Sequence, residues 1–117
     1  MGDRKFVARK ATLNDLPAIK ALADAERSSL GFITRATLEE AILEGGMMVV
    51  TVDDKVVGFQ HYYHRKRDLQ TTLYHKTVAS EWRGQELGKM VVDAVAIEAR
   101  ALGREKLLLK CPVDLPS

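Results

Sequence analysis

Arg83-Gly84-Gln85-Glu86-Leu87-Gly88-Lys89 sets two glycines and two cations at the point where an apolar strand pattern gives way to a helical one. At such a junction the first backbone N–H groups of the helix lack partners and face outward at the positive end of the helix dipole, a geometry that suits phosphate oxygens. Gly84 and Gly88 would let the backbone approach a bulky anion, with Arg83 and Lys89 adding charge at the rim. The same residues also fit an ordinary loop and helix start, and spacing alone leaves both readings open. The strand before them offers proton-carrying groups. Simple alternation places Thr72, Tyr74, Lys76 and Val78 on one side and Leu73, His75 and Thr77 on the other. Tyr74 fits a proton carrier or an aromatic packed on a sheet. His75 titrates in a useful range, with His61 and His64 on the neighbouring strand. Three histidines without cysteines or carboxylates at ligand spacing make no metal site. Gln60, Tyr62 and Tyr63 suit an acceptor pocket or cross-strand packing, Arg65-Lys66-Arg67 reads as a solvated hairpin tip, and the lone Cys111 as a buried hydrophobe or a reactive thiol.

The elements that must position these groups follow from pattern. Phe6 to Ala11 reads as a first strand. Thr12 or Asn14 caps a helix, Pro17 favouring Asn14, and Leu16, Ile19, Leu22 and Ala23 share one face up to about Glu26. Arg27 to Arg35 has no clear period and reads as a loop or broken helix. Thr37-Leu38-Glu39-Glu40 is a capping-box sequence for a short helix that Gly45-Gly46 ends. Met47 to Val52 and Val56 to His64 form a hairpin about Asp53-Asp54-Lys55, and Leu69 to Val78 is long enough for the next antiparallel strand. Leu87, Met90, Val91, Ala94, Ile97 and Ala101 repeat at helical spacing up to Gly103, and Lys106 to Cys111 gives a last strand before Pro112. The order β-α-α-β-β-β-α-β defines an α/β (α+β) sandwich with a mixed, mostly antiparallel sheet covered by helices.

A chain of 117 residues fits one domain, 1–117, because two cores would each be too small to outweigh chain entropy. Its 18 Lys plus Arg against 16 Asp plus Glu give a net charge of +2, which argues against nucleic acid or an acidic membrane as the main partner. One cysteine closes no internal disulfide, and no apolar run spans a bilayer. The lone cysteine points to a reducing compartment, the cytosol.

Val78-Ala79-Ser80-Glu81-Trp82-Arg83-Gly84-Gln85-Glu86-Leu87-Gly88 resembles the acetyl-CoA signature of the GNAT superfamily of N-acetyltransferases. Arg9 to Ile19 is similar to the family's first strand and helix, and Val56-Val57-Gly58-Phe59 to its third strand. The resemblance implies acetyl transfer from acetyl-CoA, without a metal, to a primary amine of a small molecule or peptide, by direct attack in a ternary complex. It implies that backbone groups of Thr77 and Val78 pair with the pantetheine amides and that Arg83, Gly84, Gln85, Glu86, Leu87, Gly88 and Lys89 hold the pyrophosphate. Catalytic side chains in the family lie on the side of this strand shared with Val78, which favours Tyr74 over His75. Two features depart from the pattern. Glu86 stands where the family has Gly or Ala; its carboxylate would repel the diphosphate, occupy its place, or swing outward. A further helix and two strands, with the family's tyrosine acid, would begin beyond Ser117, so the resemblance implies a C-terminally truncated sheet. An alternative reading is therefore a degenerate domain with weak or no CoA binding that acts through self-association, as a homodimer covering the open last strand.

Overall fold

The computed structural model describes residues 4–26, 33–64, 70–84 and 86–103, together with the backbone of 106–109. Five strands lie side by side in chain order: β1 (Phe6–Lys10), β2 (Met47–Val52), β3 (Lys55–His64), β4 (Gln70–Val78) and β5 (Lys106–Leu109). The first four are antiparallel, and β5 runs parallel to β4. Three helices, α1 (Leu16–Ala25), α2 (Arg35–Leu43) and α3 (Leu87–Ala101), complete the order expected from the sequence.

Both faces of the sheet are covered, which explains why β2 is a continuous apolar run with every residue buried. On one face, Leu16, Ile19 and Ala23 of α1 and Leu38, Ala41 and Ile42 of α2 pack with Met47, Val49, Val56 and Phe59. On the other, Leu87, Val91 and Val95 of α3 pack with Met48, Val50, Val52, Tyr62 and Leu73. The β2–β3 hairpin turns through Asp53 and Asp54, both at positive φ, as a two-residue turn matched to strand twist requires.

Two helix starts differ from the sequence expectation. A 3₁₀ turn, Leu13–Asp15, precedes α1. Thr12, not Asn14, opens it, and the Asp15 carboxylate accepts from the Thr12 N–H at 2.8 Å and from both Arg9 guanidinium nitrogens at 2.8 and 3.0 Å. Those bonds, Arg9 foremost, hold the Asp15 carboxyl below its usual range. Helix α2 is capped by Thr34, whose hydroxyl accepts from the Thr37 N–H at 3.1 Å, so Thr37 lies inside the first turn. The hydroxyl nearer the chain entry wins because it reaches the open amides from an extended backbone.

The C-terminal half of α3 is tied to the sheet by a polar knot absent from the sequence reading. Glu98 accepts from Lys10 Nζ at 2.8 Å and from the Tyr62 hydroxyl at 3.0 Å, and His64 Nε2 lies 2.7 Å from it. His64 Nδ1 lies 2.6 Å from the Thr71 hydroxyl. Burial alone would raise the Glu98 pKa, but the Lys10, His64 and Tyr62 contacts outweigh it and hold the carboxyl low. Burial, reinforced by Glu98, pushes the Tyr62 phenol up. Strands β1 and β3 thus meet at one carboxylate of α3, and β4 joins them through Thr71 and His64.

Candidate functional site

Strand β4 has two different edges. Gln70–Leu73 pair with Lys106–Leu109 of β5, whereas from Tyr74 to Val78 only β3 pairs with it among the described residues. The antiparallel alternation decides which backbone groups face the open side. The Ala79 N–H donates to the Val57 carbonyl at 2.7 Å, so the next hydrogen-bonded pair is Phe59–Thr77, and the Val78 and Lys76 backbones face outward. Gly58 agrees: a Cβ there would lie 2.9 Å from the Thr77 carbonyl oxygen, which therefore points at β3. The sequence expectation for Thr77 is corrected accordingly. Its backbone serves the β3 ladder, and the open pair is Lys76 and Val78.

Side-chain parity also differs from the expectation. Gln60 pairs with Lys76 and Tyr62 with Leu73, so one residue of β3, His61, opposes two of β4, Tyr74 and His75. This bulge reverses the alternation halfway along the strand. Leu73, Lys76 and Val78 face α3, while Tyr74, His75 and Thr77 face the α1/α2 side. Tyr74 and His75 are thereby brought together. The His61 ring centroid lies 5.0 Å from Tyr74 and 6.2 Å from His75, nearly parallel to the latter. Burial, then repulsion by His75, pulls the His61 pKa down to about 4; burial lowers that of His75. Both rings are neutral at pH 7. His75 Nδ1 is buried without a protein partner, as is Thr72 Oγ1. Gln60, expected to line a pocket, is instead fully buried, and its amide donates to the His75 carbonyl at 3.2 Å and the His61 carbonyl at 2.8 Å. It satisfies a carbonyl that the bulge removes from the regular ladder.

Beyond β4 the chain makes a 3₁₀ turn, Ser80–Trp82, and enters α3. Trp82 is held edge-on by Phe6 at 6.2 Å, with the Arg4 guanidinium over its ring at 5.3 Å. Gly84 takes φ +86°, open to glycine at no cost. Glu86 is exposed at φ +61° and makes no capping bond to α3. The first bonded helical amide is Met90, which donates to the Glu86 carbonyl at 3.1 Å, so the N–H groups of Leu87, Gly88 and Lys89 have no partner within the helix. Glu86 lines a shallow groove toward Ala8 with Lys89, Met90 and Asp93. Its carboxylate therefore does not fill the amide site itself. Gln85 lies outside the described residues, as do Arg65-Lys66-Arg67, Cys111 and most of the Arg27–Arg35 stretch.

The rim cations are engaged elsewhere. Arg83 Nε donates to the Val78 carbonyl at 3.1 Å and its Nη2 to Glu26 beyond the end of α1. Lys89 pairs with Asp93 at 3.0 Å one turn along α3, which raises its pKa. Lys76, which the sequence reading passed over, reaches the start of α3: a Cβ at Gly88 would meet its Nζ at 3.5 Å. It shares the α3 face with Val78, as alternation placed it. Among the described residues no group of His, Cys, Asp and Glu is placed to hold a metal ion, and no helix is long and apolar enough to cross a membrane.

An antiparallel meander, a bulged and half-open fourth strand, and a glycine turn into a partnerless helix start match the fold that the sequence resembles. The model of the GNAT acetyltransferase family matches residues 16–116, and the chain belongs to that family. Comparison with curated proteins gave no match. Among solved structures, N-acetylglutamate synthase of Neisseria gonorrhoeae, complexed with coenzyme A and N-acetyl-glutamate, superposes with a TM-score of 0.80 at 18% identity, over 92% of this chain and 26% of that one. The ribosomal-protein-alanine N-acetyltransferase of Brucella melitensis gives 0.76 at 19% identity, over 96% and 83%. Rv2747 of Mycobacterium tuberculosis, complexed with CoA, gives 0.75 at 28% identity, over 88% and 63%. This chain thus spans about a quarter of the gonococcal synthase and under two thirds of Rv2747.

Proposed function

We propose that the chain binds acetyl-CoA along the open edge of β4 and transfers its acetyl group to a primary amine by direct attack in a ternary complex. The observation that carries this reading is the continuity of one backbone surface. Outward groups of Lys76 and Val78 lead past Gly84 to the partnerless amides of Leu87, Gly88 and Lys89. An extended diamide arm fits the first part by strand-like pairing, and a diphosphate fits the second by charge and by amide direction. Arg83 covers the Val78 carbonyl, so a ligand amide pairing there displaces that contact. Lys76, beside Gly88, supplies the cation that Arg83 and Lys89 do not.

Bound acetyl-CoA would supply a thioester carbonyl near the bulge. The amine nitrogen forms the C–N bond as the C–S bond breaks. Of the two protons the ammonium sheds, one ends on sulfur and one in solvent. His75, neutral and free of a fixed tautomer, is suited to take a proton from the ammonium, and the Tyr74 hydroxyl to give one to the departing thiolate. The expected preference for Tyr74 over His75 loses its ground, because the bulge sets both on the face opposite Val78.

Acetyl-CoA at about tenfold above its dissociation constant should raise the melting temperature by about 5 °C. In Gly88→Asp, whose new side chain has Lys76 within reach, the fold should persist and the shift vanish. No shift of the unaltered protein at millimolar acetyl-CoA would refute the reading and favour a domain that keeps the architecture without the ligand.

A further inference from the structure

A cavity of about 450 Å³ opens beside the bulge on the α1/α2 side of the sheet. Tyr74 borders it where the proposed thioester would arrive, His61 and Tyr63 continue the wall along β3, and Glu44 closes it from the end of α2. Its frame is stiff. Gly46 lies so close to β3 that a Cβ would sit 2.3 Å from the Tyr62 carbonyl oxygen, and the Tyr62 N–H donates to the Gly46 carbonyl at 2.9 Å.

Its described lining holds one carboxylate, Glu44, and no Lys or Arg; of its two histidines, His61 is neutral at pH 7 and His64 is turned to Glu98 of α3 at 2.7 Å. Glu44 follows the last turn of α2, where the carbonyls of Glu40, Ala41 and Ile42 accept from the amides of Glu44, Gly46 and Gly45, and the Gly45 carbonyl accepts from Lys10 Nζ. It forms no salt bridge among the described residues. Tyr63, 47% exposed, and Tyr74 present aromatic rings, which attract cations. A carboxylate entering here would meet Glu44, while Lys10, which reaches the Gly45 carbonyl, is already paired with Glu98 at 2.8 Å.

We propose that this cavity takes the acceptor, and that the acceptor is an alkylammonium with no carboxylate beside its amine, such as a linear diamine. The proposal rests on the acetyl-transfer reading above for its chemistry but not for its selectivity, which Glu44 and the two tyrosines supply.

The matched probes are 1,5-diaminopentane and lysine, which is the same molecule carrying one carboxylate. Titrated calorimetrically into the full chain without acetyl-CoA, the diamine should bind about tenfold more tightly than lysine. Glu44→Gln should weaken the diamine about fivefold to tenfold, narrow its advantage over lysine, and leave the acetyl-CoA melting shift intact. Tyr63→Leu, at an exposed position, should weaken both amines about threefold. Lysine binding as well as the diamine, an unchanged Glu44→Gln affinity, or no amine binding at millimolar concentration would each overturn the proposal. Diamine binding with no acetyl-CoA shift would instead overturn the acetyl-transfer reading and leave the cavity's selectivity standing.

Discussion

Glu86 shows how one position can oppose both fold and ligand. A residue with a Cβ at φ +61° is held in a left-handed conformation that costs about 1 kcal/mol, and its carboxylate stands at the mouth of a helix whose free amides favour an anion. Because the side chain is exposed to solvent, its repulsion of a bound diphosphate falls at the lower end of the roughly 1–3 kcal/mol expected for like charges about 6 Å apart. Glu86→Gly should therefore stabilise the chain by about 0.5–1 kcal/mol in denaturant melts and tighten acetyl-CoA about tenfold. Equal or weaker binding would mean that the carboxylate does not face the ligand. A glycine at this position would relieve a conformational cost as well as an electrostatic one. The sequence exposed only the second.

Among the elements, β4 does the positioning, and its bulge is the decisive feature. Two residues of β4 against one of β3 bring Tyr74 and His75 to the same side, with Lys76 facing α3. Gln60 holds that geometry from a fully buried position, through the His75 and His61 carbonyls. Gln60→Leu keeps the volume but removes the donor, and a buried carbonyl left without one costs about 1–3 kcal/mol. The variant should unfold at lower denaturant with an unchanged m-value, and amide exchange should quicken first at His75 and Lys76. Loss of stability spread evenly over the sheet would assign Gln60 to the core rather than to the bulge. The bulge also marks what periodicity could and could not disclose. The repeat from Leu87 to Ala101 and the Asp53-Asp54 turn are local, and each names its own structure. Register is a property of two strands, so alternation along β4 alone kept Lys76 with Val78 and His75 with Thr77 but set Tyr74 on the wrong side of them.

At the scale of the molecule, α3 is fixed at one end and open at the other. Glu98 gathers Lys10, Tyr62 and His64 under its C-terminal half, while its first amides meet no partner within the helix. This division suits a binding site that must be rigid without being filled by its own side chains. Long-range partners also explain where sequence reading fell short. Arg83 reads as a free rim cation until its carboxylate, Glu26, is found 57 positions away, and the Glu98 knot joins four elements that no motif links. By contrast the order of strands and helices was legible because each pattern had to bury an apolar face against one common sheet.

The most direct test is a coenzyme A titration of the isotopically labelled chain followed by backbone amide resonances. The account predicts the largest perturbations, saturating together, at Lys76, Val78, Leu87, Gly88 and Lys89, with Thr77 moving less than either neighbour. Perturbations centred instead on the groove between Ala8 and Ile97, or none at saturating ligand, would contradict it.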